Sequence, residues 1–209
     1  MAFSRSFLGV PAVILIALSA CDRPTPAVVT PAVPIATTGP ASATAEGTTG
    51  ASTARVPADQ SITLGHVRVS VKKVTVGKVP LRAADGSITY AGEPRLMIAL
   101  AIKNTSDKRK SEYGTWVPDL DSARTVARLT DDRGTELKRV TFGFGNNVKD
   151  RTVLDTLTPG KSITDLLVFE IPAMEATYLD LDLPGANCGV PGTFRFRIDT
   201  KAINRSRER

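Results

Sequence analysis

From Ser61 onward apolar and polar residues alternate with a period of two, and no window of ten or more residues keeps a 3.6-residue period. A period of two puts every second side chain on one face of an extended strand, so this part of the chain reads as β throughout. Val67, Val69 and Val71 share one face; Lys72-Lys73 breaks the phase, and Val74 and Val76 resume it one residue later. Such a slip predicts a bulge, or a strand passing from one sheet to another. Leu96 to Ile102 is apolar on both faces, as a central strand requires. Leu179, Leu181 and Leu183 alternate with Asp180 and Asp182, and Phe194, Phe196 and Ile198 alternate with Arg195, Arg197 and Asp199.

The punctuation agrees with strands. Thr130-Asp131-Asp132-Arg133-Gly134 separates Thr125–Leu129 from Thr135–Val140 and predicts a hairpin. Thr158-Pro159-Gly160-Lys161 has the proline and glycine order of a type II turn, leading into a long buried strand from Ser162 to Ile171. Seven to nine such strands predict an antiparallel two-sheet sandwich over residues 61–200, with a closed barrel as the alternative.

The first twenty residues read as an address. Arg5 precedes the uncharged run Phe7–Leu18, whose 12 residues fall short of the ~20 that a spanning helix needs. Leu18-Ser19-Ala20-Cys21 resembles the lipobox of bacterial lipoproteins, in which a cysteine thiol after small residues receives the lipid. The resemblance implies a lipoprotein signal peptide over 1–20, lipid attachment at Cys21, and a location in the bacterial cell envelope, anchored in a membrane and facing the extracytoplasmic side. Several acyl chains on one residue hold far more tightly than one, because each buried methylene contributes ~0.8 kcal/mol.

Residues 21–60 differ in composition from all that follows. Between Asp22 and Gln60 there are nine Ala, eight Thr and six Pro, only five charged residues and no aromatic. Such a stretch buries too little apolar surface to offset the entropy of ordering, so a disordered linker is expected, or equally a Thr-rich glycosylated stalk.

The order of motifs in the domain is also familiar. An apolar strand closes at Lys103-Asn104-Thr105-Ser106-Asp107-Lys108; Leu129–Gly134 and Leu157-Thr158-Pro159-Gly160 follow, then Asp165–Phe169 and Pro172. This resembles the immunoglobulin-like sandwich domains of extracytoplasmic bacterial lipoproteins, a family of unknown function. The resemblance implies fold and compartment and no activity. The basic residues 201–209 depart from it and read as a C-terminal tail.

One His and two Cys in 209 residues exclude multi-histidine and thiolate metal sites. His66 is the only imidazole, and no G-x-S-x-G motif accompanies it, so a strand-end surface histidine is expected. With Cys21 lipidated, Cys188 has no intramolecular partner: it is a buried thiol in a tight loop, or a site for a mixed disulfide or a dimer bridge. Asp119 with Asp121, and Asp131 with Asp132, lack a full calcium spacing, and the second pair reads as turn residues. No catalytic residue, metal or cofactor is expected.

The net charge of +6 is concentrated. Residues 103–110 and 201–209 each carry a net +3, favouring anionic membrane, wall polymer or acidic protein over a neutral surface. Nucleic acid is not an expected partner, because aromatic and basic residues are not interleaved. Lys108, Arg109 and Lys110, with Tyr113 and Trp116 just beyond, are the candidate partner contacts. The resulting expectation is a membrane-tethered, non-catalytic β-sandwich that binds an envelope protein or polymer. The alternatives are a structural domain adsorbing to anionic membrane or wall surfaces, and a hydrolase with two carboxylates facing one cleft at ~5–9.5 Å.

Overall fold

The computed structural model describes residues 54–117, 125–143 and 147–205. The signal peptide, Cys21, the linker up to residue 53, Asp119, Asp121 and residues 206–209 lie outside the described residues.

In chain order the strands are β1 (Val56–Pro57), β2 (Ser61–Leu64), β3 (Val67–Arg82), β4 (Ile88–Asn104), β5 (Ser111–Gly114) and β6 (Arg128–Asp131). They continue as β7 (Asn147–Val148), β8 (Leu154–Leu157), β9 (Ser162–Phe169), β10 (Tyr178–Pro184), β11 (Thr193–Asp199) and β12 (Asn204–Arg205). One sheet has the order β1-β11-β10-β6, and a second the path β12-β3-β4-β9 with β2 and β7 also on β3. β5 and β8 form a separate two-stranded ribbon.

Alternation decides which faces meet. Leu179, Leu181 and Leu183 lie opposite Ile198, Phe196 and Phe194 on the inner face of the first sheet. They share one core with Val67, Val69, Leu96, Ile98, Leu100 and Ile102 from the second. Two ladders face to face across one apolar layer make an all-β sandwich, not a closed barrel.

The phase slip at Lys72-Lys73 is a bulge inside a single strand. The β3–β4 register shifts between Val71 and Lys73, and β3 runs on unbroken for 16 residues. Gly160 has φ +75°, and the Lys161 amide donates to the Thr158 carbonyl at 3.0 Å, closing the expected turn.

Several boundaries need correction. The ordered domain starts before Ser61: Val56 and Pro57 pair with Phe196 and Arg197 in parallel, and Arg55 is ion-paired to Asp180 and Asp182. At the other end, residues 201–205 belong to the fold and not to a tail. Ile203 is buried, and Asn204-Arg205 pair in parallel with Thr75-Val76. Both segments are too short to show a period, and sheet edges, not alternation, hold them. The segment 135–140 is irregular rather than a full strand, with isolated bridges at Thr130–Glu136 and Arg139–Phe169.

That irregularity serves the edge of β9, which ends at Phe169 rather than Ile171. Val140 donates its amide to Val168, and Glu170 donates to Lys138. Further along, Thr152 Oγ1 donates to the Thr164 carbonyl at 2.7 Å, and Arg151 Nε to that of Leu166 at 3.3 Å. An open row of peptide groups is a template for aggregation, and these segments cover it.

Candidate functional site

The predicted contact residues are split by the fold. Lys108, Arg109 and Lys110 are exposed on the connection between β4 and β5. Tyr113 and Trp116 are both fully buried, so neither is available to a partner. Their rings meet edge to face at 5.4 Å, an arrangement that aromatic quadrupoles favour. Trp116 Nε1 donates to the Pro184 carbonyl at 2.9 Å, so the aromatic pair serves the core.

Tyr113 belongs to the most polar part of the interior. Asp165 is inward-facing on β9, and only 1% of it is exposed. Its Oδ2 accepts from Tyr113 Oη at 2.5 Å and Thr115 Oγ1 at 2.9 Å, and its Oδ1 from the amides of Leu166 at 2.8 Å and Thr152 at 3.3 Å. Burial raises the Asp165 carboxyl above its ordinary value, against the opposing pull of those hydroxyls and of Arg151. Burial also pushes the Tyr113 phenol far up and lowers the Arg151 guanidinium. With both carboxylate oxygens occupied by donors and the tyrosine held protonated, the cluster is built to join the ribbon to the sheet. One signal of it stands in the sequence: Asp165 occupies the position between Ile163 and Leu167 in the alternation Ile163, Leu167, Phe169.

The remaining candidates resolve individually. Cys188 ends the short 3-10 turn Gly185–Cys188, is fully buried, and its thiol is pushed up to about 12 by burial. A buried, protonated thiol is a poor nucleophile, which corrects the mixed-disulfide and dimer-bridge reading. His66 is half-buried in the turn between β2 and β3, where its carbonyl accepts from the Thr105 amide at 2.8 Å and hydroxyl at 3.0 Å. Asp131 Oδ1 accepts from the amides of Arg133 and Thr135, as a turn residue should, and Asp132 Oδ2 from the amide and hydroxyl of Thr177.

Several other carboxylates are ion-paired. On the outer face of β10, Arg55 and Arg197 both hold Asp180, at 3.0 and 2.9 Å, and Arg55 also holds Asp182 at 2.5 Å. A shallow cleft lined by Glu136, Leu137, Lys138, Arg139 and Thr141 contains one carboxylate, which is paired to Arg128 at 3.0 Å. It does not meet the two-carboxylate requirement of a glycan hydrolase.

Among the described residues the exposed aromatic is Tyr90, which is not one of the predicted contacts. β9 pairs with β4 only from Leu96 to Lys103, so Ile88–Arg95 continues past it as an arm with β3. Tyr90 lies opposite Pro80 and Ile88 opposite Arg82, which puts all four on one face. Tyr90 is 63% exposed and Ile88 43%, while the other face packs Val79 and Leu81 against Val148. The available signal was Gly86 and Gly92 bracketing a β-prone Ile-Thr-Tyr run.

No protein-family model and no curated protein sequence matches this chain. Its structure is similar to that of the yjhA protein of Bacillus subtilis, at 16% identity and a TM-score of 0.48, over 68% of this chain and 99% of that one. It is also similar to ycdA of the same species, described provisionally as a lipoprotein, at 18% identity and a TM-score of 0.42, over 70% of this chain and 40% of that one.

Proposed function

We propose that the protein is an extracytoplasmic lipoprotein, anchored through Cys21, whose immunoglobulin-like sandwich is a non-catalytic module that binds an envelope partner. The observation that carries the binding reading is the exposed Ile88–Tyr90 face of the β3–β4 arm. A tyrosine and a β-branched residue side by side on a strand bury a large apolar area at a small cost in side-chain entropy. Pro80 and Arg82 complete the face. The lipobox and the Pro/Thr/Ala-rich spacer supply the placement.

Capture from solubilised envelope with the wild-type protein and with the Ile88→Ser/Tyr90→Ser variant tests the binding reading. The expected result is one envelope component retained by the wild type and lost by the variant. Equal retention overturns the assignment of this face. Mass spectrometry of the native protein tests the anchor, with a diacylglyceryl cysteine expected at position 21.

A further inference from the structure

Five exposed cations gather at one end of the sandwich, brought there from β3, from β4 and from the connection that follows β4. Arg68 on β3 and Lys103 on β4 are directly opposite each other on the outer face of the sheet. Lys103 leads into the connection that carries Lys108, Arg109 and Lys110. That connection is a built turn. Ser106 Oγ accepts from the amides of Lys108 at 3.1 Å and Arg109 at 2.9 Å, and Asn104 Nδ2 donates to the Arg109 carbonyl at 2.6 Å. The acids on the same segment are Asp107 and Glu112, and Glu112 accepts from Thr156 Oγ1. Among the described residues none of the five cations is ion-paired; Arg68 contacts only Thr63 Oγ1, at 3.3 Å. Like charges placed opposite each other on a sheet repel, and an anionic surface turns that repulsion into attraction.

The same end is where the domain begins. The Thr105 amide donates to the His66 carbonyl, and a Cβ on Gly65 would lie 3.4 Å from Val190 Cγ1, so the turns at 65–66, 104–110 and 185–192 are neighbours. β1 runs parallel to β11 with Val56 opposite Phe196, so Arg55 and Ala54 lead back towards Thr193, at that end. Of the second basic stretch, the described residues Lys201 and Arg205 are elsewhere. Thr200 bonds to Thr177 at the far end of β11, and Arg205 pairs beside Val76 midway along β3.

We propose that this end is a docking face for anionic phospholipid, recognising head-group phosphates of the membrane that holds the anchor. The proposal rests on the lipoprotein reading for its choice of surface. Only 32 residues separate Cys21 from Ala54, a span of at most ~110 Å, so the bilayer is always within reach of the end from which the chain starts. Each basic side chain near such a surface strengthens binding by about five-fold, and salt weakens the attraction.

The unlipidated chain from Asp22 to Arg209 is titrated with vesicles of about 30% phosphatidylglycerol and with pure phosphatidylcholine vesicles. Binding is expected to the first alone, and to fall on raising salt from about 50 to about 500 mM. The variant R68Q/K103Q/K108Q/R109Q/K110Q is expected to lose about 100-fold or more in vesicle affinity with an unchanged urea midpoint. K201Q/R205Q, at the far end and mid-sheet, is expected to lose less than ten-fold. Equal binding by the five-fold variant, or binding to an anionic wall polymer with none to the vesicles, overturns the proposal. A bare thiol at Cys21 with vesicle binding intact overturns the lipoprotein reading and leaves the docking face standing.

Discussion

The Tyr113 hydroxyl and the Asp165 carboxylate meet 2.5 Å apart inside the sandwich, tying the β5–β8 ribbon to the edge strand of the larger sheet. Replacing Tyr113 by Phe keeps the ring against Trp116 and removes one of four donors from a buried acid. A loss of about 1–3 kcal/mol in unfolding free energy is expected, read by urea titration. Trp116→Ala removes the ring itself and should cost about 3–5 kcal/mol.

Asp165 also sets a pH dependence. Its folded-state pKa is raised above the ordinary 3.8, so the native state binds a proton more tightly than the unfolded chain. Its contribution is fully present below pH 3.8 and is lost as pH rises through the raised value. Asp85, Asp132 and Asp155 are lowered, chiefly by side-chain hydrogen bonds to Ser87, Thr177 and Lys161. They act in the opposite sense, adding stability that is lost as pH falls below 3.8 through their lowered values. In Asp165→Asn the decline above pH 3.8 should flatten, while the fall at lower pH remains. The two hydroxyls facing Oδ2 can accept from an amide as well as donate, so the variant should fold. Urea midpoints across about pH 3–7 read both limbs.

Cys188 should be silent towards thiol reagents in the folded protein. Burial removes access and holds the sulfur protonated. Modification by an aromatic disulfide reagent is expected to follow global opening, at least about 100-fold slower than in urea-unfolded protein. Rapid reaction under native conditions would restore the reactive-thiol reading.

The start of the domain can be tested by truncation. A chain beginning at Ser61 lacks β1 and Arg55, leaving Asp182 without its ion pair and Asp180 with Arg197 alone. Compared with a chain beginning at Ala54, it should be less stable by about 1–3 kcal/mol in thermal or urea unfolding. Equal stability would return residues 54–60 to the linker.

Much of the fold was legible along the chain. The alternation in β10 and β11, the apolar run of β4, the slip at Lys72-Lys73 and the Pro159-Gly160 turn each rest on a few neighbouring residues, where strand period and turn chemistry are written locally. The edges were not legible. Val56-Pro57 and Asn204-Arg205 have two residues each, and what holds them is a neighbouring backbone remote in sequence.

The candidate surface shows the same division. Lys108-Arg109-Lys110 could be read as a cluster because the charges are contiguous, but Arg68 joins them only through the β3–β4 register. Tyr113 and Trp116 looked like interface residues because residue type carries no depth, and Tyr90 drew no notice for the same reason. By itself the sequence determined that the chain from residue 61 is β, where most strands turn, and where its charge is concentrated. The tertiary structure alone decided which aromatics are covered, which acids are neutralised and which cations share an end. Many of those outcomes depend on contacts between residues remote in sequence, up to 127 positions apart for Arg55 and Asp182, and no local pattern encodes the far partner.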